Sequence, residues 1–409
     1  MKGRLWRVST EDYSAKIVFD YNAGEITDMA ISDAYNMCVT CGHDGTVKVW
    51  DFLRADPYYS QKFLGKANCV DIMRRSEQNK GRVVACGFET GILRILQLTD
   101  SNIEIAMVMK AHDGPIDYAL YAPNQMTLCT ASRNGEIFFF DINGHLELGK
   151  CTPICLLHLE NCGRINDLKW DTSSKHILVA CESGYVYEIE RPDPAKLDTS
   201  DSYLIENYPM RTWKMKMMEF QMKKNQKKDE EEEEKKRRAR LRGELKNEDD
   251  EEEEDWDPEG ITKICYNESD DPKNNFIVGA KGQYKGFYYL CSFESARPLK
   301  AITIEPNLSF CQLSFNSTGE FLIMTLDNSE IRLLSIKSPD RQLVIKQHDK
   351  HANGIASAKL NFDERCLVTA GKDGMLFVHA LDKFMLIQES QFNALDGVAG
   401  IDFMPEAQV

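Results

Sequence analysis

A chain of 409 residues with a formal net charge of −15, 42% hydrophobic residues and a mean hydropathy of −0.43 excludes two classes of function at the outset. Its anionic field repels nucleic acid, and no run approaches the roughly 18 apolar residues that a membrane-crossing helix needs. Thirteen cysteines, an odd number, argue against a regular disulfide framework and for a reducing compartment. The start, Met1–Val8, has basic residues with no apolar stretch behind them, so the cytosol or the cytoskeleton is the expected location.

In chain order, Gly3–Val8 and Ala15–Asp20 read as the third and fourth strands of a repeat whose first half is missing. Next comes a hairpin that is copied along the chain. Val39-Thr-Cys-Gly-His-Asp-Gly-Thr-Val-Lys-Val-Trp-Asp51, Cys129-Thr-Ala-Ser-Arg-Asn-Gly-Glu-Ile-Phe-Phe-Phe-Asp141 and Val368-Thr-Ala-Gly-Lys-Asp-Gly-Met-Leu-Phe-Val-His-Ala380 all place Asp-Gly or Asn-Gly between apolar runs. That dipeptide predicts a tight type I′ turn with φ > 0 at both centres. Looser matches put the turn glycine at Gly3, Gly45, Gly91, Gly135, Gly184, Gly286 and Gly374, with Ser329 in the remaining place. Most steps are 42 to 49 residues. Such a period, with four short strands per unit, predicts an all-β propeller of about seven, at most eight, blades.

Seven repeats run roughly over 24–66, 67–108, 109–158, 159–190, 258–300, 301–345 and 346–390, and Val398–Met404 resembles the first strand of one more. A blade built from both ends of the chain would protect the open sheet edges, although its second strand is lacking. The expected organisation is a first half of the propeller over 1–190, a charged, partly helical insertion over 191–257, and a second half over 258–409 that is incomplete at its C-terminal side. The chain therefore reads as a fragment or short isoform of a longer protein.

Within the insertion, Met210, Trp213, Met217 and Phe220 recur at spacings of three and four, one face of a helix amid lysines. They are the candidate partner-binding residues, packing on the propeller edge being the alternative. Beyond them the blocks Asp229–Glu234, Lys235–Arg242 and Glu248–Asp255 lack any periodic apolar face, which predicts disorder over about 225–257. The basic block could contact phosphates, but its acidic flanks argue against that.

Groups able to do chemistry do not form a recognisable set. Gly279–Gly286 lacks the spacing of a phosphate loop. Histidines 43, 112, 348 and 351 stand beside carboxylates or turns with no nucleophile elbow. Cys151, Cys155, His158 and Cys162 have the residue types of a zinc site, yet Ile154–Leu159 between them reads as a strand. No catalytic residue, cofactor or metal is expected.

The hairpins, with Trp50-Asp51 closing the first, resemble those of WD-repeat proteins. That resemblance implies a hydrogen-bonded lock in each blade made by a leading His, a Ser or Thr, a turn Asp and a third-strand Trp. Its carry-overs here are Thr40, Asp44 and Trp50, then His112 and Thr130, then His351, Thr369 and Asp373, none of them complete. A narrower likeness rests on Lys2-Gly-Arg-Leu-Trp-Arg-Val8, on Trp213-Lys-Met-Lys-Met-Met218 and on Asp255-Trp-Asp-Pro258 within the charged insertion. Together these resemble cilia- and flagella-associated WD-repeat proteins, especially those that tether an inner-arm dynein. It implies a non-enzymatic scaffold of the axoneme with protein partners (dynein components, tubulin, other WD-repeat tether subunits), no nucleic acid and no membrane. Members of that family carry tandem propellers and coiled coils, and no heptad pattern follows here. The alternative is a nuclear or cytosolic adaptor in RNA or chromatin assembly whose acidic insertion engages basic partners.

Overall fold

The computed structural model describes residues 3–214 and 260–403 apart from short stretches, the longest at 143–150. Residues 215–259 and 404–409, and with them Met217, Phe220 and the charge blocks, lie outside the described residues. Apart from one turn of 3-10 helix at Pro194–Lys196, every described element is a strand.

Seven antiparallel four-stranded sheets follow one another, each formed by four consecutive strands, and first strands of neighbouring sheets lie side by side. This is a β-propeller. Blades one to seven span 26–62, 67–110, 116–158, 165–214, 261–303, 310–345 and 355–393. The sequence builds each blade by a gradient of burial. Second strands such as Met37–Gly42, Val83–Phe88 and Phe321–Leu326 are buried at every position, so both of their faces are apolar. An outermost strand such as Ile103–Lys110 is mostly exposed. The cores lie between blades: Val39, Val47 and Val49 of blade one meet Val84, Cys86, Phe88 and Leu96 of blade two.

The turn type differs from the sequence expectation. Gly45 N–H donates to Gly42 O at 3.0 Å across a four-residue turn, and only Gly45, at φ +77°, is left-handed. A three-residue loop with one αL residue replaces the type I′ pair. The same bond recurs at Gly91, Gly135, Gly184 and Gly374, and Ser329 takes the αL place at φ +69°.

Blade four corrects a second expectation. Its outer strand is Met210–Lys214, paired with Tyr185–Glu190, so the face that reads as helical is in fact an extended edge. Trp213 is buried against Leu178, Val186 and Phe276, with the Phe276 and Phe293 rings at 5.3 and 5.5 Å. It belongs to the core between blades four and five. The stretch from Arg191 to Tyr208 also lies on the propeller, with Leu197, Ile205 and Tyr208 packed on the core of blades three and four.

Two further strands, β1 (Gly3–Val8) and β2 (Ala15–Tyr21), form a separate two-stranded sheet. It stands between the last blade and the first. Leu5 packs with Cys38, Trp50 and Phe52 of blade one, whereas Val8 packs with Cys366, Val368, Leu376 and Val378 of blade seven. Ile401 and Phe403 join that blade-seven cluster.

Candidate functional site

Every first strand contains a β-bulge at its second residue, the register slipping at Thr27, Asn68, Asp117 and Asn166 and at the matching places in blades five to seven. A bulge re-aims the side chain it carries. Thr27 Oγ1 donates to Ala67 O of blade two at 2.6 Å, Asn68 Nδ2 to Ile116 O of blade three at 3.2 Å, and Asn166 Nδ2 to Ile261 O of blade five at 2.7 Å. These are blade-to-blade bonds. Aspartates one to three residues further along these strands also join blades: Asp28, Asp71 and Asp167 each accept the next residue's N–H and an N–H of the following blade, from Val70, Tyr121 and Ile264. Burial pushes the Asp71 carboxyl up to about 7 and that of Asp28 to about 6, against the opposing pull of those N–H donors.

At this mouth of the channel a cavity of about 320 Å³ opens among blades one to four. Its charge is mainly positive. Asp117 is held by Arg133 in a bidentate pair at 2.9 and 3.0 Å, while Lys66 and Arg164 have no ion-pair partner among the described residues. The polar bulge residues escaped the sequence reading, although a hydroxyl or amide at the second position of four first strands was a visible signal.

The expected blade locks are placed unevenly. In blade one, Trp50 Nε1 donates to Thr40 Oγ1 at 2.9 Å, but Asp44 binds Thr46 N and Oγ1 instead of joining them. In blade three, His112 spans Thr130 Oγ1 at 2.8 Å and Glu136 Oε2 at 3.2 Å, so a glutamate does the work of the turn aspartate. The His112 bond holds Glu136 below its usual range. In blade seven the lock histidine is His348, not His351. His348 meets Asp373 at 3.0 Å and Thr369 Oγ1 at 2.9 Å, and Thr369 reaches His379 Nε2 at 3.2 Å. His351 is exposed, and its backbone N–H donates to Asp349. Burial alone would raise Asp373, but N–H donors from Met375 and Asp349, together with His348, hold it low. Burial pushes His379 down to about 4, keeping it neutral in the core at neutral pH.

Metal chemistry finds no support in the four zinc-type residues. Cys151 lies between blades two and three, Cys155 and Cys162 lie between blades three and four, and His158 is exposed. Burial pushes the Cys151 and Cys155 thiols up to about 12, which disfavours the thiolate a metal needs.

Comparison with known proteins agrees with this geometry. The WD domain, G-beta repeat model matches residues 16–51. Cilia- and flagella-associated protein 44 of Mus musculus is 24% identical over 448 aligned positions, covering 92% of this chain and 24% of that protein. Its namesake in Trypanosoma brucei is 26% identical, covering 89% of this chain and 21% of that one. The chain is similar to WD-repeat proteins in its repeat and fold, and to these cilia- and flagella-associated relatives over about nine-tenths of its length. It spans about a quarter of the length of these relatives, and a cilium or flagellum is the location they indicate. Among solved structures, Saccharomyces cerevisiae Sqt1 superposes with a TM-score of 0.64 at 10% identity, covering 93% of this chain and 88% of that one, a likeness of fold alone.

Proposed function

We propose that this chain is a non-enzymatic scaffold of the ciliary or flagellar axoneme that links inner-arm dynein to doublet microtubules and so supports motility and assembly. The observation that carries the reading is the match to cilia- and flagella-associated protein 44 over 92% and 89% of the chain in two distant organisms. The geometry supports it. Side chains at the channel are engaged in joining blade to blade, and no group of three or more metal-ligating residues converges among the described residues. What the propeller offers is surface. Lys66 and Arg164 at the channel mouth complement an acidic segment such as a tubulin tail, on a molecule that is otherwise strongly anionic. The proposed partners are dynein components, tubulin and other WD-repeat tether subunits.

The test is to tag the chromosomal copy in a ciliated cell and follow the protein through demembranation and salt extraction. Retention along the axoneme, with loss of inner-arm dynein when the gene is deleted, is expected. A nuclear signal, or a signal released with the soluble matrix, contradicts the proposal.

A further inference from the structure

The cavity at the channel mouth carries more positive charge than the side chains around it offset. Four charged residues line it: Lys66 just before blade two, Asp117 and Arg133 of blade three, and Arg164 just before blade four. Arg133 grips Asp117 with both arms of its fork, at 2.9 and 3.0 Å, so that pair is neutral as a unit. Lys66 and Arg164 remain as two positive charges without an ion pair among the described residues. Glu89 accepts the backbone N–H of Lys66 at 3.0 Å and is not part of the cavity wall.

Neutral donors line the same space. Asn68 and Asn166 each use one amide hydrogen on the following blade, for Ile116 O and Ile261 O, and a primary amide carries a second. The hydroxyls of Thr27 and Tyr118 already donate, to Ala67 O and Asn166 O. Ile165 is the one aliphatic residue in the wall. At about 320 Å³ the cavity stands at the small end of ligand sites, and its lining suits a polar guest.

Charge and shape narrow the guest further. A carboxylate brings one negative charge and a flat pair of oxygens, which a single guanidinium fork satisfies, as Arg133 does for Asp117. A phosphate monoester brings about 1.5 to 2 negative charges at neutral pH and three acceptor oxygens in different directions. It matches two unpaired cations that come from different blades, with amide N–H groups beside them. A segment carrying carboxylates fits the sign of this field but not its geometry.

We infer that the channel mouth is a binding site for a small, free phosphate monoester bearing hydroxyl groups, held by Lys66 and Arg164 with Asn68 and Asn166 in support. The inference deepens the reading of the mouth given above, where charge alone admits an acidic segment, and rests on that reading only for the sign of the charge. It does not rest on a ciliary location.

The experiment titrates the whole 409-residue chain calorimetrically at about 0.15 M salt, where long-range fields are largely screened, with glycerol 3-phosphate, glycerol and a hexaglutamate peptide. Saturable binding of glycerol 3-phosphate is expected, with none of glycerol and binding of hexaglutamate at least about tenfold weaker. Lys66→Gln and Arg164→Gln should each weaken glycerol 3-phosphate at least about tenfold, whereas Lys62→Gln, at an exposed site outside the cavity, should change nothing. Melting temperatures of the three variants separate lost binding from lost folding. Unchanged affinity in both Lys66→Gln and Arg164→Gln places the ligand elsewhere and overturns the inference. Hexaglutamate that binds as tightly as glycerol 3-phosphate overturns it and leaves the acidic-segment reading standing, whereas saturable binding of neither overturns both. A phosphoserine peptide that displaces glycerol 3-phosphate at lower concentration places the phosphoryl group on a protein partner and overturns a free ligand. Binding that tightens about tenfold or more once glutamines replace Glu230–Glu234 and Glu251–Glu254 assigns the mouth to the chain's own acidic blocks and overturns it likewise.

Discussion

Blade one and the sheet of β1 and β2 face each other across one interface, and they handle the same indole differently. In blade one the third strand brings Trp50 against a second strand that supplies Thr40, and the donor is satisfied at 2.9 Å. Across the interface the indole nitrogen of Trp6 on β1 is buried with no acceptor among the described residues. The difference teaches that a blade's lock belongs to the second strand as much as to the third: the apolar side chains of β1 seat without it, but the polar ones do not. Blades three and seven make the same point with histidine, since His112 and His348 both turn inward to a second-strand threonine.

The largest expected effect lies in the complete blades, where turns are hemmed in by the next blade. At Gly91, φ is +73° and an added Cβ would sit 2.0 Å from His112 O. Gly91→Val should therefore cost about 3 kcal/mol or more in denaturant unfolding, from strain and overpacking together. A loss under half of that would mean the turn can relax away from the His112 loop.

Next comes the histidine lock. Asp373→Ala leaves His348 buried without its anionic partner and should cost about 2 kcal/mol, whereas His351→Ala, at an exposed loop position, should change stability by less than about 0.5 kcal/mol. Equal effects would return the lock to His351.

The buried carboxylates give a pH dependence with a definite sign. Asp28 and Asp71 titrate near 6 and 7 in the fold and near 3.9 when unfolded. The folded chain therefore binds more protons between about pH 4 and pH 7, and the contribution of these groups to stability falls as pH rises through that window. Asp71→Asn should flatten the fall by about 1 kcal/mol or more. An unchanged slope in urea titrations at pH 5 and pH 7.5 would mean that Asp71 stays ionised throughout.

Smallest, and closest to the comparison itself, is the pair Trp50→Phe and Trp6→Phe. Both remove similar apolar volume, but only the first breaks a hydrogen bond and strands Thr40, so it should cost about 1 kcal/mol more. Equal costs would place an acceptor beside Trp6.

Much of this architecture was legible in the sequence, for a physical reason. Tight turns between buried strands demand an αL residue, and that demand repeats as Gly45, Gly91, Gly135, Gly184 and Gly374 with Ser329 among them. At the two ends, the apolar residues picked out by alternation are packed, Leu5 on blade one and Val8, Ile401 and Phe403 on blade seven. What failed was distance and length. Met210 and Trp213 fall at a spacing shared by a helix face and by a short bent edge, and five residues are too few to separate the two once 19 residues intervene after Glu190. His351 was favoured over His348 because the loop leading into blade seven varies in length, and only burial reveals which histidine turns inward. The bulges that aim Thr27, Asn68 and Asn166 across blades leave a polar residue at a fixed place in the sequence, but their bonding partners lie about 40 to 95 residues away, beyond the reach of local pattern.

The claim that β1 pairs only with β2 among the described strands is tested most directly by backbone hydrogen exchange, comparing β1 with the third strand of blade one, Thr46–Asp51. Without a neighbour beside it, β1 keeps one ladder instead of two, so its amides facing the gap should exchange at least about tenfold faster than those of Thr46–Asp51. Equal protection in the two strands would show that a second strand already lies beside β1, and would contradict the account.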